Sequence, residues 1–407
     1  MWSNGLSPRP KILVFLGRYL PGFNSGGPVR TISSMVEALA PHFDFYIVTL
    51  NRDSGSRERY TTVRTGAWNT VGMAQVFYTS RFTIGEMRRL ANEVVPDAVY
   101  LNGFFSTSSI LGLTGRRFGR FGDLPFVLAT RGDLAGGALG IKANKKRAYM
   151  KLARGVGLYR NLLWHASSER EKQEILGQLA SYGVEADRVH VAPDLGVGYL
   201  AEEKARPKKI AGAAQFVTVG RMTRMKNLPF TIQRLGELRG AVSLDIFGPL
   251  EDRELWAECE KSIRSLPPNV TVRNHGAIDP ARVIGELATR HFFILPTLGE
   301  NYGHVIIEAA AAGCPVVISD RTQWVGLAEK GIGWELPLDS TERWRAVLQE
   351  CVEMEEGRYQ TMSKGAAEFG RSVMNSTANL KANVELFRRA VAMKKSAQEF
   401  QPVGVAK

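Results

Sequence analysis

Apolar residues along this chain fall into short continuous runs separated by longer amphipathic stretches. Runs of a few apolar residues bounded by Gly, Pro, Asn or Asp predict strands buried on both faces. Stretches with apolar positions three and four apart predict helices. In the first half KILVFLG (from Lys11), DFYIVTLN, AQVFYTS, DAVYLNGFF, LPFVLAT, LLWHASS and DRVHVAPDL read as strands. Helices fall between them: one starting at Pro28, then FTIGEMRRLANEVV, STSSILGLTGRRFG with serine and threonine as caps, KANKKRAYMKLARGVGLYR and SEREKQEILGQLASYG. NRDSGSRERYTTVRTGAWNTVG is polar and rich in turn residues, which predicts a surface excursion. Periodicity is lost from Ala201 to Ala214, which predicts a linker.

The pattern then restarts. QFVTVG, VSLDIFG, NVTVRNHG, HFFILP and CPVVISD read as strands, with KNLPFTIQRLGELRG, EDRELWAECEKSIRSL, DPARVIGELATR and GHVIIEAAAAG as helices between them. From STERWRAVLQECVEM to about Phe400 the pattern is helical. Strand and helix alternating throughout predict two doubly wound, Rossmann-like α/β domains. They are residues 1–200 and 215–375, joined by a linker over 201–214 and followed by a last helix over 376–407.

A chain of 407 residues suits two domains better than one core. No run has the length of a membrane span, and MWSNGLSPRP has no signal-peptide core, so a cytoplasmic setting is expected. Cys259, Cys314 and Cys351 show neither metal nor disulfide spacing. The net charge of +13 points to an anionic partner. Between Arg116 and Arg160 stand 11 basic and 2 acidic residues. Lys142, Lys145, Lys146, Arg147, Lys151 and Arg154 share one predicted helix, whose apolar stripe is expected at Ile141, Ala148, Leu152, Gly155 and Tyr159. That helix is either ordinary solvated surface or a contact for an anionic membrane leaflet. No nucleic-acid motif accompanies the charge.

Candidate chemistry concentrates in PTLGENYGHVIIEAAAAGCPVVISD, from Pro296 to Asp320. Strand, glycine loop, helix and strand make a parallel βαβ unit, which places ligands at the carboxyl ends of its strands. Glu300 lies in the loop, and Glu308 lies in a helix otherwise almost wholly apolar that closes at Gly313. A carboxylate there either pairs with a buried arginine or, near the first helical turn, accepts the hydroxyls of a ribose. A second motif, VGRMTRMKN from Val219, also follows a strand. Arg221 and Lys226 there suit a diphosphate gaining charge, or form a basic solvent loop. Gly26 and Gly27 precede a helix start, which is an anion site or a turn. No G-x-G-x-x-G fingerprint follows a strand, which disfavours a nicotinamide oxidoreductase.

The segment from Pro296 resembles the E-x7-E segment of the retaining glycosyltransferases of family 4, which have the GT-B fold. Gly220, Arg221 and Lys226 match that family's G-R-x-x-x-x-K segment. The resemblance implies two Rossmann-like domains facing a central cleft, with the last helix returning to the first domain. It implies that a nucleoside-diphosphate sugar is the co-substrate, with no further cofactor, and that Glu308 holds the ribose while Glu300 contacts the sugar. Arg221 and Lys226 would stabilise the leaving group, helped by the Gly26 and Gly27 amides. Asn301, Tyr302, Gly303, His304 and Val305 would line the donor site, with His275 near the base or on the surface. No D-x-D triplet occurs, so metal-independent transfer to a glycan or lipid-linked acceptor is expected, as in bacterial polysaccharide assembly. The first domain has ATRGDLAGGALGIKANKK where many members carry a histidine. It resembles a bacterial subset with an R-G-x-L loop. There Arg131 and Asp133 contact sugar or acceptor, or pair with each other, and Asn102 is an acceptor contact or a turn residue. A nucleotide-sugar epimerase and a non-catalytic nucleotide-sugar-binding protein are the alternatives on the same fold.

Overall fold

The computed structural model describes residues 8–22, 24, 26–140, 143–196 and 206–399. The chain divides into two units, one of residues 1–195 with 377–407 and one of residues 196–376. Each is a doubly wound α/β structure, as the alternating pattern predicts.

The first unit holds strands β1 (Lys11–Phe15), β2 (Asp44–Leu50), β3 (Trp68–Val71), β4 (Ala74–Thr79), β5 (Ala98–Asn102), β6 (Phe126–Ala129), β7 (Leu163–Ala166) and β8 (Val189–Val191). They form one sheet in the order β3-β4-β2-β1-β5-β6-β7-β8. Only β3 runs antiparallel, pairing with β4 at the edge. Every residue of β5, β6 and β7 is buried, which is why those runs show no polar alternation. The order reverses between β1 and β5, so the crevice outside their carboxyl ends is this unit's topological switch point.

The second unit holds β9 (Ala213–Val219), β10 (Ala241–Phe247), β11 (Val270–Asn274), β12 (Phe292–Leu295), β13 (Val316–Ser319) and β14 (Gly333–Leu336), in the order β11-β10-β9-β12-β13-β14. All neighbours are parallel. Its switch point lies between β9 and β12, so the loops after those two strands flank one crevice.

The helix Thr377–Glu399 belongs to the first unit. Phe387 sits fully buried against Phe43, Phe45 and Tyr100, with ring centroids 5.5 to 5.8 Å apart. Burying such a side chain contributes about 1.5–3 kcal/mol, enough to anchor a chain end. Asn383 also donates to the Pro193 carbonyl at 2.8 Å.

Four expectations change. The polar excursion after β2 contains β3, held because Trp68 packs edge-on against Tyr46 and Phe77. β14 was not foreseen: GWEL is short, and only pairing with β13 makes it a strand. β9 begins at Ala213, inside the expected linker, of which residues 201–205 lie outside the described residues. The basic stretch is not one long helix. It breaks into Gly136–Gly140 and Ala143–Gly155 and then turns at Gly157, with Ile141 and Lys142 outside the described residues.

The expected apolar stripe of that helix is also wrong. Ala148, Leu152 and Gly155 are exposed, while Met150 and Ala153 are buried. Tyr159 is buried too, but in the loop beyond the helix. Tyr149 edges against Phe105, and Lys146 stands 4.7 Å from the same ring. The aromatic ring outcompeted the aliphatic pattern for the buried face.

Candidate functional site

In the second unit the loops after β9, β10 and β11 are closely layered. Gly220 N donates to the Phe247 carbonyl at 2.9 Å, and Gly248 N donates to the Gly276 carbonyl at 2.6 Å. A Cβ on Gly248 would lie 1.8 Å from the Gly220 carbonyl oxygen, so only glycine fits. This fixes where Arg221 leaves the sheet. The chain then makes a single 3-10 turn, Arg224–Lys226, and enters the helix Leu228–Leu235.

The loop after β12 is tied to that turn. Leu298 N donates to the Met225 carbonyl at 2.8 Å, and the Thr297 hydroxyl donates to the same carbonyl at 3.0 Å. Glu300 N donates to the Arg321 carbonyl at 3.1 Å, which links the loop after β13 as well. The result is a direct ion pair between the Lys226 ammonium and the Glu300 carboxylate, both largely buried. Two residues separated by 74 positions, each singled out from a different motif, therefore meet.

Arg221 is more exposed and pairs with Glu251 at 3.2 Å. Arg224 pairs with Asp252 and Glu258 across the exposed surface. Glu251 was missed in the sequence. The signal was the FGPLED stretch, which places an acid just beyond the glycine that follows β10.

Gly303, at φ 75°, caps the helix His304–Ala311 without a side-chain hydrogen bond. The first turn of this helix carries no acid. Glu308 is its fifth residue, one position past the first turn where it was expected, and is 8% exposed. Helical side chains lean toward the N-terminus, so Glu308 still reaches back toward the loop. Ahead of the helix, Asn301 and Tyr302 complete the loop, and His304 and Val305 open the first turn. The Tyr302 ring packs on His304 at 4.7 Å and on Trp324 at 5.3 Å, and the Tyr302 carbonyl accepts from the Trp324 indole at 2.7 Å. Gly313, at φ 65°, ends the helix as read.

His275 lies at the surface, its side chain 37% exposed, and is held there by its neighbours. Its ring stacks on Phe247, centroids 4.5 Å apart, and Nε2 lies 2.6 Å from the Asp245 carboxylate. Arg290 Nε donates to the other oxygen of Asp245 at 2.7 Å. Burial opposes ionisation of Asp245, but the bonds from His275 and Arg290 outweigh it and hold its pKa below the usual range.

In the first unit Gly26 is the N-cap of the helix Gly27–Leu39, at φ 61°, and its carbonyl accepts from Val29 N and Arg30 N at 3.2 Å. Gly27 is thus the first helical residue and Pro28 the second. Asn102 and Arg131 lie at the carboxyl ends of β5 and β6 and bond to each other, Arg131 Nε to Asn102 Oδ1 at 2.7 Å. The guanidinium also reaches Asp194 and the Tyr100 hydroxyl, each at 2.5 Å. It pairs with Asp194, not with Asp133. Asp133 accepts instead from Phe105 N at 3.2 Å, and burial raises its pKa. Around this pair Glu171 accepts from the Thr130 hydroxyl, Gly132 N and both the amide and hydroxyl of Ser167. His165 Nδ1 meets the Tyr100 hydroxyl at 2.8 Å. Asp194, Glu171 and His165 were not foreseen; a lone acid in the apolar run VAPDL was the available signal.

Among the described residues no three His, Cys, Asp or Glu side chains are grouped to hold a metal, and no helix is long and apolar enough to cross a membrane. The three cysteines are buried free thiols.

Residues 213–351 match the family model described as "Glycosyl transferases group 1". No curated protein sequence matches the chain. Among solved structures, sucrose-phosphate synthase from Thermosynechococcus elongatus aligns at TM-score 0.69 and 15% identity, covering 94% of this chain and 100% of that one. HepE from Anabaena, solved with UDP and glucose, aligns at 0.66 and 14%, covering 94% and 100%. WaaG, a glycosyltransferase of lipopolysaccharide biosynthesis, aligns at 0.63 and 14%, covering 97% and 100%. The chain therefore has the GT-B fold of the group 1 glycosyltransferases, and its second unit carries their sequence pattern.

Proposed function

We propose that this protein is a retaining glycosyltransferase. It moves a sugar from a nucleoside-diphosphate sugar to a glycan or lipid-linked acceptor in bacterial polysaccharide assembly. The observation that carries this reading is the Lys226–Glu300 pair beside Arg221 at the switch point of the second unit, within the stretch that matches the glycosyltransferase model. When donor binds, its diphosphate replaces Glu300 and Glu251 as the partner of the two cations. As the bond from the anomeric carbon to phosphate oxygen breaks, the electron pair passes to that oxygen, where the ammonium and guanidinium stabilise the growing charge. The acceptor hydroxyl oxygen bonds to the anomeric carbon on the face the diphosphate leaves, and its proton passes to the departing diphosphate. Glu308 accepts the ribose hydroxyls, and Glu300, released from Lys226, accepts hydroxyls of the sugar. No divalent cation is required in this scheme.

The test is a thermal-shift screen of nucleotide sugars, beginning with UDP-glucose because HepE was solved with UDP and glucose. One donor should raise the melting temperature and support transfer in excess chelator. No stabilisation by any nucleotide sugar would overturn the proposal. Turnover of donor without acceptor would favour epimerisation.

The same proposal places the protein on the cytoplasmic face of a membrane. Lys145, Arg147, Lys151 and Arg154 are exposed on the helix Ala143–Gly155, with Leu152 among them at 68% exposure. Lys146 does not contribute, since its ammonium donates to the Ala138 carbonyl at 2.8 Å. Each basic residue near an anionic leaflet contributes about 1 kcal/mol. The protein should sediment with anionic but not neutral vesicles, and replacing Lys145, Arg147 and Lys151 with Gln should release it. Equal sedimentation with both vesicle types, or with neither, would rule the contact out.

A further inference from the structure

At the opposite end of the first unit's sheet lies a cavity of about 460 Å³. It opens at the amino ends of β7 and β8, between Leu162, just before β7, and Arg188, just before β8. Asn102, Arg131 and Asp194 all lie at or beyond the carboxyl ends of their strands, so the cavity is separate from the cluster described above.

Three arginines line it: Arg154, Arg160 and Arg188. None of them makes an ion pair among the described residues. Arg154 lies over the Tyr182 ring at 5.8 Å from its centroid, and Arg188 has only a long contact of 3.9 Å to the Met393 sulfur. Arg160 lies across Gly157, where a Cβ would stand 3.1 Å from its Nε. One acid, Glu185, lines the same space. The local balance is therefore two positive charges in excess.

The wall is held rigidly. The loop between the basic helix and β7 carries two residues of left-handed backbone, Gly157 at φ 66° and Asn161 at φ 54°. Arg116 donates to the carbonyls of Arg160 and Asn161, both at 2.9 Å, and Arg117 Nε donates to the Val156 carbonyl at 2.6 Å. These braces satisfy the carbonyls of the loop from behind and leave its arginine side chains for the cavity. They also add two guanidinium charges to the local field.

We propose that this cavity is a second ligand site, for a phosphomonoester carried on a body about the size of a sugar. The charge argues for phosphate, which carries about −1.5 to −2 near neutral pH, against the single charge of a carboxylate. Guanidinium forks match phosphate oxygens two at a time. The volume lies within the roughly 300–1,000 Å³ of small-molecule sites and exceeds what inorganic phosphate fills. Tyr182 supplies an aromatic wall beside the charges. The phosphomonoester is either a soluble sugar phosphate or the headgroup of a lipid. The inference stands without the proposed transferase activity, because no residue of the second unit enters it.

The test uses the full chain carrying Arg221→Ala and Lys226→Ala, which removes the two cations of the proposed donor site. Glucose 6-phosphate, short-chain soluble phosphatidic acid and uncharged glucose are titrated by calorimetry. At least one phosphomonoester should saturate, glucose should not, and the tighter ligand names the source. Adding Arg154→Gln and Arg160→Gln should weaken binding by about 10-fold or more, the usual effect of losing hydrogen bonds to a charged group. Both side chains are exposed, so the ligand-free melting temperature should stay the same. Ser181→Glu is a second variant, placing a negative charge in the cavity lining while leaving the arginines intact. It should weaken binding as well. Failure of both phosphomonoesters to bind below about 1 mM, or binding unchanged in both sets of variants, would overturn the proposal.

Discussion

The two units use cations at the carboxyl ends of their strands in opposite ways. In the first, Arg131 is buried and bonded to Asn102, Tyr100 and Asp194 at once. Burial alone would ease loss of its proton, but Asp194, Tyr100 and Glu171 outweigh burial and hold the charge in place. In the second, Arg221 and Lys226 each lean on one carboxylate, and Arg221 is 42% exposed. A buried charge with all three guanidinium nitrogens bonded is part of the framework. A charge held by one partner can exchange that partner for a ligand. The contrast explains why equally conspicuous arginines in two glycine loops receive different roles.

The sharpest break of this comparison is to remove Arg131. Arg131→Met should destabilise the protein by about 3–5 kcal/mol, because Asp194 is left as an uncompensated buried charge. Urea denaturation measures it. A loss below about 1 kcal/mol would mean that this arginine is as exchangeable as those of the second unit. Arg221→Ala should do the reverse, lowering turnover by about 10²-fold or more with stability nearly unchanged, and Lys226→Ala should lower turnover as much while costing less stability than Arg131→Met, since its pair is less buried. Glu308→Gln should weaken binding of the free nucleoside diphosphate, whereas Glu300→Gln should mainly slow transfer. Equal losses of nucleotide affinity in those two variants would show that the roles are divided wrongly.

A smaller effect, shared by the two units, shows in the pH dependence of stability. His165 in the first unit is held neutral mainly by burial, then by Arg131, with its pKa lowered to about 3. His291 in the second unit is lowered to about 4, again mainly by burial. The unfolded chain takes up these protons near pH 6.5, while the folded chain refuses them until about pH 3 to 4. The unfolded state thus binds more protons across that window, and stability falls as pH drops through it. His165→Gln should flatten the slope of unfolding free energy against pH between about 6.5 and 4. An unchanged slope would place the acid sensitivity elsewhere.

Much of this protein was legible in its residues. Continuous apolar runs alternating with amphipathic stretches specify buried parallel strands and covering helices, because each must hide its apolar surface in the same way. The G-R-x-x-x-x-K and E-x7-E spacings were legible too, since each lies within one strand, loop and helix. β3 and β14 were not, as four residues become a strand only when a neighbour offers its edge. The buried face of the basic helix was misread because Phe105, from another loop, chose Tyr149 and Lys146 over Leu152. Partners of charges were the least legible of all. Lys226 meets Glu300 across 74 positions, and Arg131 meets Asp194 across 63. Sequence names a charge, but its Coulomb energy and desolvation depend on distance and burial, and those exist only once the strands are laid side by side.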